Sequence, residues 1–285
     1  MLTAVRLLGT VPDSSGNRLP DLPGESSTVS LSVFRPDALA GRVVLVTGAS
    51  RGIGAAISRA CADAGADVAV GYLNGKAGAE ATVAEVRARN REAEAFPADV
   101  RDPGQVEAMV AAVVDRFGRI DGLVNNAGVM PESPVSDMAF DEWRHVIDVD
   151  LTGAFLCCQA ALPHMLGCGS GSIVMISSRL GQIGFAGVAH YAAAKAGLIG
   201  LAKSLAKEVG PRGVRVNVVA PGVTITEMTS DITTGEVGRK RLAELPSGRF
   251  ATADEVAASV VFLLTDAAAL YHGQTLCPNG GGHMP

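Results

Sequence analysis

From Gly41 onward the chain alternates short apolar runs with longer stretches of helical period, and this alternation restricts the possible folds more than any other feature. The apolar runs are Val43–Val46, Val68–Val70, Ala93–Ala98, Gly122–Asn125, Ser172–Ser177, Val214–Val219 and Gln274–Cys277. They are short, and apolar on both alternating positions, as strands buried on both faces are. Between them Gly52–Ala64, Ala77–Asn90, Gly104–Phe117, Phe140–Met165, Tyr191–Val209 and Ala253–Thr265 carry helical spacing. Strands each followed by a helix predict an α/β domain: one doubly wound, mostly seven-stranded parallel sheet with helices on both faces. Right-handed crossovers then place any ligand at the carboxyl ends of the strands.

The domain is expected to occupy residues 39–285. Val11–Ser30 is half Ser, Pro or Gly and has no hydrophobic period, so residues 1–38 are expected to form a flexible N-terminal extension. The net charge of −5 and an aromatic content of 4% argue against a nucleic-acid partner, which would call for a basic surplus and stacking platforms. The five cysteines form no CxxC pair, and neither they nor the five histidines show metal-ligand spacing. Free thiols in a reducing cytoplasm and no metal are the expectation. Met1–Val11 lacks the apolar core of a secretory signal. Leu151–Ser178 contains no Asp, Glu, Lys or Arg, but Pro163 and the Gly167–Gly171 turn are expected to break it into pieces too short for a bilayer. The chain therefore reads as soluble, with no membrane contact.

The first strand runs into Thr47-Gly48-Ala49-Ser50-Arg51-Gly52-Ile53-Gly54 and then a helix. A glycine-rich turn between strand and helix brings backbone N–H groups and the helix dipole to a pyrophosphate. The spacing is GxxxGxG rather than GxGxxG, and no Gly-Lys-Ser/Thr closes a phosphate-binding P-loop. The second strand ends Val70-Gly71-Tyr72-Leu73-Asn74, without the acid that would hold a ribose 2′-hydroxyl. Arg51 lies inside the glycine turn, where it can meet a 2′-phosphate through charge-assisted hydrogen bonds. NADPH (or NADP+) is favoured, and NADH disfavoured, by the same residues.

Tyr191-Ala192-Ala193-Ala194-Lys195 opens a long helix, and residues four apart share one face. A phenol with the reference pKa of ~10 is a poor acid–base catalyst at neutral pH. A unit charge at about 4 Å, with an effective dielectric near 20, contributes about 4 kcal/mol. An adjacent ammonium is thus a perturbation of the right size to bring a phenol toward neutral pH.

Thr47–Gly54, Asn125-Asn126-Ala127-Gly128, Ser178, Tyr191/Lys195 and Pro221-Gly222 together resemble the short-chain dehydrogenase/reductase family, closest to its 3-oxoacyl carrier-protein reductase-type members. The resemblance covers about Gly41 to the C-terminus and implies a Rossmann domain. It implies that Gly48, Ser50, Arg51, Gly52, Ile53 and Gly54 line the cofactor's phosphates and ribose. Asp99 and Val100 match the pair beside the adenine, and Asn126, Ala127 and Gly128 the end of the fourth strand beside the ribose. Pro221, Gly222, Val223, Thr224 and Thr226 match the segment beside the nicotinamide. Tyr191 would be the proton donor. Lys195 would hold the nicotinamide ribose and depress the tyrosine pKa, and Ser178, thirteen residues before Tyr191, would hold the substrate carbonyl, with Ser177 as its rival. The family's fourth active-site residue is an asparagine, whereas here Asp150 stands in its place, its charge expected to pair with Lys195.

These features imply an NADPH-dependent ketoreductase acting on a small carbonyl substrate, 3-oxoacyl or other. The alternatives are an NAD-linked alcohol or sugar dehydrogenase and, motivated by Asp150, a dinucleotide-binding protein without catalysis. The resemblance also implies a homo-oligomer, tetramer or dimer, for which Leu151–Met165 and Val260–Leu264 are candidate faces. The polar stretch Ile225–Phe250 reads as a mobile lid with Lys240 and Arg241 solvated, and substrate specificity is expected in this stretch and in Val129–Ser136.

Overall fold

The structure is a computed structural model, and it describes residues 36–285. Of the expected N-terminal extension, residues 1–35 lie outside the described residues. Pro36–Ala38 form part of a turn that leads to Leu39, which is fully buried and whose N–H donates to Ala64 O at 2.7 Å.

Seven parallel strands form one sheet in the order β3-β2-β1-β4-β5-β6-β7. In chain order these are β1 (Val43–Val46), β2 (Asp67–Tyr72), β3 (Ala93–Pro97), β4 (Gly122–Asn125), β5 (Gly171–Ile176), β6 (Val214–Val219) and β7 (Thr275–Leu276). The order reverses between β1 and β4, the switch point at which doubly wound sheets open a crevice. The helices are α1 (Gly52–Asp63), α2 (Lys76–Arg87), α3 (Pro103–Phe117), α4 (Phe140–Ile147), α5 (Gly153–Cys168), α6 (Leu180–Ile183), α7 (Ala189–Val209), α8 (Ser230–Thr233), α9 (Gly235–Ala243) and α10 (Ala253–Leu264).

The period-two pattern of β1 divides the core. Val44 and Val46 pack with Ile57 of α1, Val83 of α2 and Leu263 of α10. Val43 and Leu45 face the other way, toward Val110 of α3, Cys157 of α5 and Leu198 of α7. Local chemistry sets the helix ends. The Asp102 carboxylate accepts from Gln105 N–H at 3.1 Å and Pro103 follows it, while Gly118, with φ +76°, ends α3. Thr252 and Glu255 form a capping box at the start of α10.

Three expectations are corrected. Pro163 does not end its helix: α5 continues to Cys168. Helical backbone therefore runs unbroken from Phe140 to Cys168, 29 residues containing an 18-residue window of mean hydropathy 1.4, long and apolar enough to cross a bilayer. Cys157, Cys158, Ala161 and Met165 are instead buried on the sheet, which makes this a core helix of the domain. It is also not one α-helix, because Asp148–Thr152 forms a π turn between α4 and α5. The candidate oligomer face Val260–Leu264 is largely taken up as well: Val260, Leu263 and Leu264 are buried within the chain's own core.

Candidate active site

The crevice at the switch point is a cleft of about 480 Å³, within the range of small-molecule sites. Thr47 ties its two walls together. The Thr47 Oγ1 accepts from Asn126 N at 3.0 Å and from Ala127 N at 3.1 Å. The Asn126 Nδ2 returns two bonds, to Thr47 O at 2.9 Å and Gly48 O at 3.0 Å. Asn126 thus locks the end of β4 to the glycine turn. The approach is so close that a Cβ on Gly48, which has φ +62°, would lie 2.8 Å from Ala127 Cα. A Cβ on Gly54 would fall on the Gly48 carbonyl and 2.6 Å from Asn126 Nδ2.

Above this cradle α1 starts at Gly52 with no side chain capping it and no acid in its first turn. Its first N–H groups and the positive end of its dipole are left for an anion. Gly48, Ser50, Arg51, Gly52 and Ile53 all border the cleft; Gly54 does not, lying behind as the packing contact that lets the turn close. A cradle that a Cβ would fill and uncapped N–H groups beside a cleft of this size suit a dinucleotide. At the far wall Tyr72, Leu73 and Asn74 end β2 without a carboxylate. The Arg51 guanidinium meets Glu227 at 3.1 Å, with both side chains about three-quarters exposed (76% and 77%).

The remaining cofactor-side residues also border the cleft. Arg101 pairs with Asp99 at 2.6 Å, and its hydrogen bonds hold the carboxyl below the usual range against the opposing effect of burial. Val100 packs where a Cβ on Gly153 would come 2.7 Å from its Cγ2. Pro221 O accepts from Arg179 N at 3.0 Å, and Thr224 bridges to Ala251. Thr226 starts the turn Glu227–Thr229 with its N–H on Thr229 Oγ1 at 3.1 Å.

At the other end of the cleft, β5, the π turn and α7 bring Ser178, Asp150, Tyr191 and Lys195 together. The Lys195 Nζ lies 3.1 Å from Asp150 Oδ2 and donates to Ile176 O at 3.0 Å. Asp150 Oδ1 accepts from Val129 N at 2.8 Å. Both side chains of the ion pair are buried. The pairing read from the sequence is present, and the π turn supplies the kink that carries Asp150 to the lysine. Gly128 leaves the space, since a Cβ there would sit 2.8 Å from Asp150 Oδ2 and 3.2 Å from Lys195 Nζ. Ser177 and Ser178 both border the cleft, but the Ser177 hydroxyl donates to Lys195 O at 2.7 Å. The Ser178 Oγ accepts from Leu180 N at 3.1 Å and lies on the Tyr191 side, where it favours the phenolate slightly.

The tyrosine departs from expectation. Lys195 Nζ lies 5.4 Å from the centre of the Tyr191 ring and does favour the phenolate. Burial acts more strongly in the opposite direction, the Asp150 carboxylate adds to it, and the phenol is held above its ordinary value. The Asp150–Lys195 pair was expected from the sequence, but burial of the phenol, the larger effect, has no sequence signal. For Lys195, burial disfavours the charged form, yet Asp150 and Tyr191 outweigh burial and hold the ammonium above its ordinary value.

Among the cleft residues that sequence reasoning missed are Arg179 and Arg241. Arg179 follows Ser178 and is 8% exposed. Arg241, expected to be solvated, lies over the Phe185 ring at 4.9 Å and borders the cleft. Its neighbour Lys240 behaves as expected, exposed and paired with Glu236 at 2.9 Å. No periodic signal separates these two cations of α9. Only the docking of α9 over the cleft does.

Fold, cradle and Ser-Tyr-Lys grouping define a dinucleotide-dependent oxidoreductase of the short-chain type. The family model described as enoyl-(acyl carrier protein) reductase matches residues 48–283. The 3-oxoacyl-[acyl-carrier-protein] reductase FabG of Staphylococcus aureus is 45% identical over 240 residues, 84% of this chain and 97% of that protein. D-threitol dehydrogenase of Mycolicibacterium smegmatis is 42% identical, over 88% and 96% of the two chains. A crystal structure from Beutenbergia cavernae, described as an NAD(P)-dependent gluconate 5-dehydrogenase with NADP bound at low occupancy, superimposes with a TM-score of 0.82. It is 38% identical and covers 87% of this chain and 98% of that one. The chain belongs to the short-chain dehydrogenase/reductase family.

Proposed function

We propose that the protein is an NADPH-dependent ketoreductase that converts a small ketone to the secondary alcohol. The observation that carries this reading is the convergence of Ser178, Tyr191 and Lys195 at one end of a cleft whose other end is a glycine cradle free of β2 carboxylates. The 45% identity to a 3-oxoacyl-[acyl-carrier-protein] reductase supports the direction of reaction, and the NADP in the related crystal structure supports the cofactor.

When bound, NADPH supplies the hydride that reaches the carbonyl carbon. Gly48, Ser50, Gly52 and Ile53 hold its phosphates through backbone N–H groups and the α1 dipole. Arg51 exchanges its exposed Glu227 partner for the 2′-phosphate at little cost, since such surface pairs are worth about 0–1 kcal/mol. Asp99 and Val100 flank the adenine. Asn126, Ala127 and Gly128 shape the ribose wall, and Pro221, Gly222, Val223, Thr224 and Thr226 the nicotinamide wall. Ser178 donates to the substrate carbonyl oxygen and orients it. Tyr191 gives its hydroxyl proton to that oxygen, which leaves a phenolate that the Lys195 ammonium stabilises. A phenol held above its ordinary pKa stays protonated before the reaction, as a proton donor must. Lys195 also binds the nicotinamide ribose, and Asp150 positions it. Residues 39–285 make up the catalytic domain, which we place in the cytoplasm as a homo-oligomer.

The test is nicotinamide oxidation by purified protein over β-keto esters, diketones, quinones and sugars, with NADPH and NADH in parallel. Turnover with NADPH that is lost in Tyr191→Phe is the expected result. Faster turnover of alcohols or sugars with NAD+ would favour a dehydrogenase of the D-threitol type. NADPH binding without turnover, unrelieved by Asp150→Asn, would make the protein a dinucleotide binder.

A further inference from the structure

Charge pairing within the cleft leaves two cations over. Asp99 is matched by Arg101 at 2.6 Å, Glu227 by Arg51 at 3.1 Å and Asp150 by Lys195 at 3.1 Å. Arg179 and Arg241 also border the cleft, and among the described residues neither has a carboxylate within 4.0 Å. The hydrogen bond recorded for the Arg179 guanidinium is a long one, 3.5 Å from Nη1 to the Gly282 carbonyl. Arg241 rests on the face of Phe185, a contact that positions a guanidinium without neutralising it.

Their location distinguishes these arginines from the phosphate-binding end. Arg179 directly follows Ser178 and its N–H is anchored on Pro221 O at 3.0 Å. Arg241 comes from α9 and reaches Phe185, which lies between Ser178 and Tyr191 in the chain. The two share one wall: a Cβ on Gly282 would come 2.5 Å from Arg179 Nη1 and 2.8 Å from Leu245 Cδ2, four residues beyond Arg241, and after burial the charge of Arg241 is the next cause depressing the Arg179 pKa. Glu244 opposes both effects from a distance beyond ion-pair contact. Two like charges held together, one of them almost fully buried, are unfavourable without an anion between them.

We propose that Arg179 and Arg241 form an anion subsite beside the reacting carbonyl, and that the ketone carries a free carboxylate: the substrate is an oxo acid. This rests on the ketoreductase reading and narrows its substrate class. Two guanidinium forks suit a carboxylate or a phosphate oxyanion equally. Burial selects between them. Arg179, 8% exposed and with Nη1 on the Gly282 carbonyl, suits the smaller of the two anions. The phosphodiester of a carrier-bound thioester sits at the outer end of a long arm, well away from its ketone.

The experiment uses the full chain. Calorimetry on NADPH-loaded Tyr191→Phe protein measures binding of 3-, 4- and 5-oxo acids, their methyl esters, and a 3-oxoacyl thioester with and without its pantetheine phosphate. Turnover of the same compounds is followed with unsubstituted protein. At least one oxo acid is expected to bind about tenfold or more tighter than its ester, the size of one charge-assisted hydrogen bond. Arg241→Gln, at a partly exposed lid position, is expected to erase that ratio, and Arg241→Lys to restore part of it. Equal binding of acid and ester, or binding of neither, overturns the subsite even where neutral ketones are reduced. A gain from the thioester phosphate with no preference for oxo acids overturns the assignment to carboxylate. Preferential binding of an oxo acid without reduction of any ketone leaves the subsite standing and overturns the ketoreductase reading.

Discussion

At the β1–α1 end of the cleft the chain presents backbone; at the β5–α9 end it presents side chains. The first end is set by close approach: Gly48 against Ala127, Gly54 against the Gly48 carbonyl, Asn126 bracing both. It has room for little but main-chain N–H groups. The second end assembles a buried ion pair, a phenol, a serine hydroxyl and two unpaired guanidinium groups from β5, the π turn, α7 and α9. Backbone cradles discriminate by shape and suit a cofactor shared by many reactions. Side-chain clusters discriminate by charge and protonation, so reaction and substrate are decided there.

If this division holds, damage at one end leaves the other's function measurable. Tyr191→Phe is expected to lower kcat for NADPH-dependent reduction by roughly 10²–10⁴-fold, the usual worth of a general acid. NADPH affinity, followed by nucleotide fluorescence, is expected to change less than about threefold. Gly54→Ala acts in reverse. Overpacking of about 1–3 kcal/mol in the cradle is expected to raise the NADPH Kd by roughly tenfold or more, with part of the loss appearing as a lower Tm. Equal loss of affinity in both variants would mean that the two ends are not separate.

Smaller effects sharpen the comparison. Arg51→Ala is expected to narrow the NADPH-over-NADH preference in kcat/KM by about tenfold while Tm stays nearly constant, because its pair with Glu227 is exposed. Asp150→Asn removes an anion that disfavours the Tyr191 phenolate. The Tyr191 pKa then falls, and the rising limb of the pH profile for alcohol oxidation, which needs the phenolate, is expected to move to lower pH. A shift to higher pH would show that Asp150 acts mainly through the position of Lys195 rather than through its charge. Thiol labelling of the native protein is expected to reach exposed Cys168 first, while Cys61, Cys157 and Cys158, which burial pushes up to about 12, stay unlabelled.

The parallel sheet, the β1–α1 turn and the Tyr191/Lys195 pair were legible from residues alone, because each is local. A strand buried on both faces writes its burial into consecutive residues, a tight turn its glycines, and one helix face its i,i+4 spacing. Element ends shifted by one to three residues; at β7 pairing with the neighbouring strand sets the limits. Pro163 was misread because a proline inside a helix removes one hydrogen bond, and a helix packed along the sheet can sustain that loss.

Charge balance was decided only by the tertiary structure. The Asp150–Lys195 pair was already legible, but only in the fold does burial outweigh the effect of the ammonium on Tyr191. Lys240 and Arg241 are adjacent and alike in sequence, yet one pairs at the surface and the other turns over the cleft. The strength of an electrostatic interaction depends on distance and on the water excluded around it, and neither exists before distant segments pack. The sequence by itself thus determined the dinucleotide fold and its hydride-transfer family, while the protonation balance of the tyrosine and the charge offered to the substrate arose only when the π turn, β5 and α9 met around one cleft.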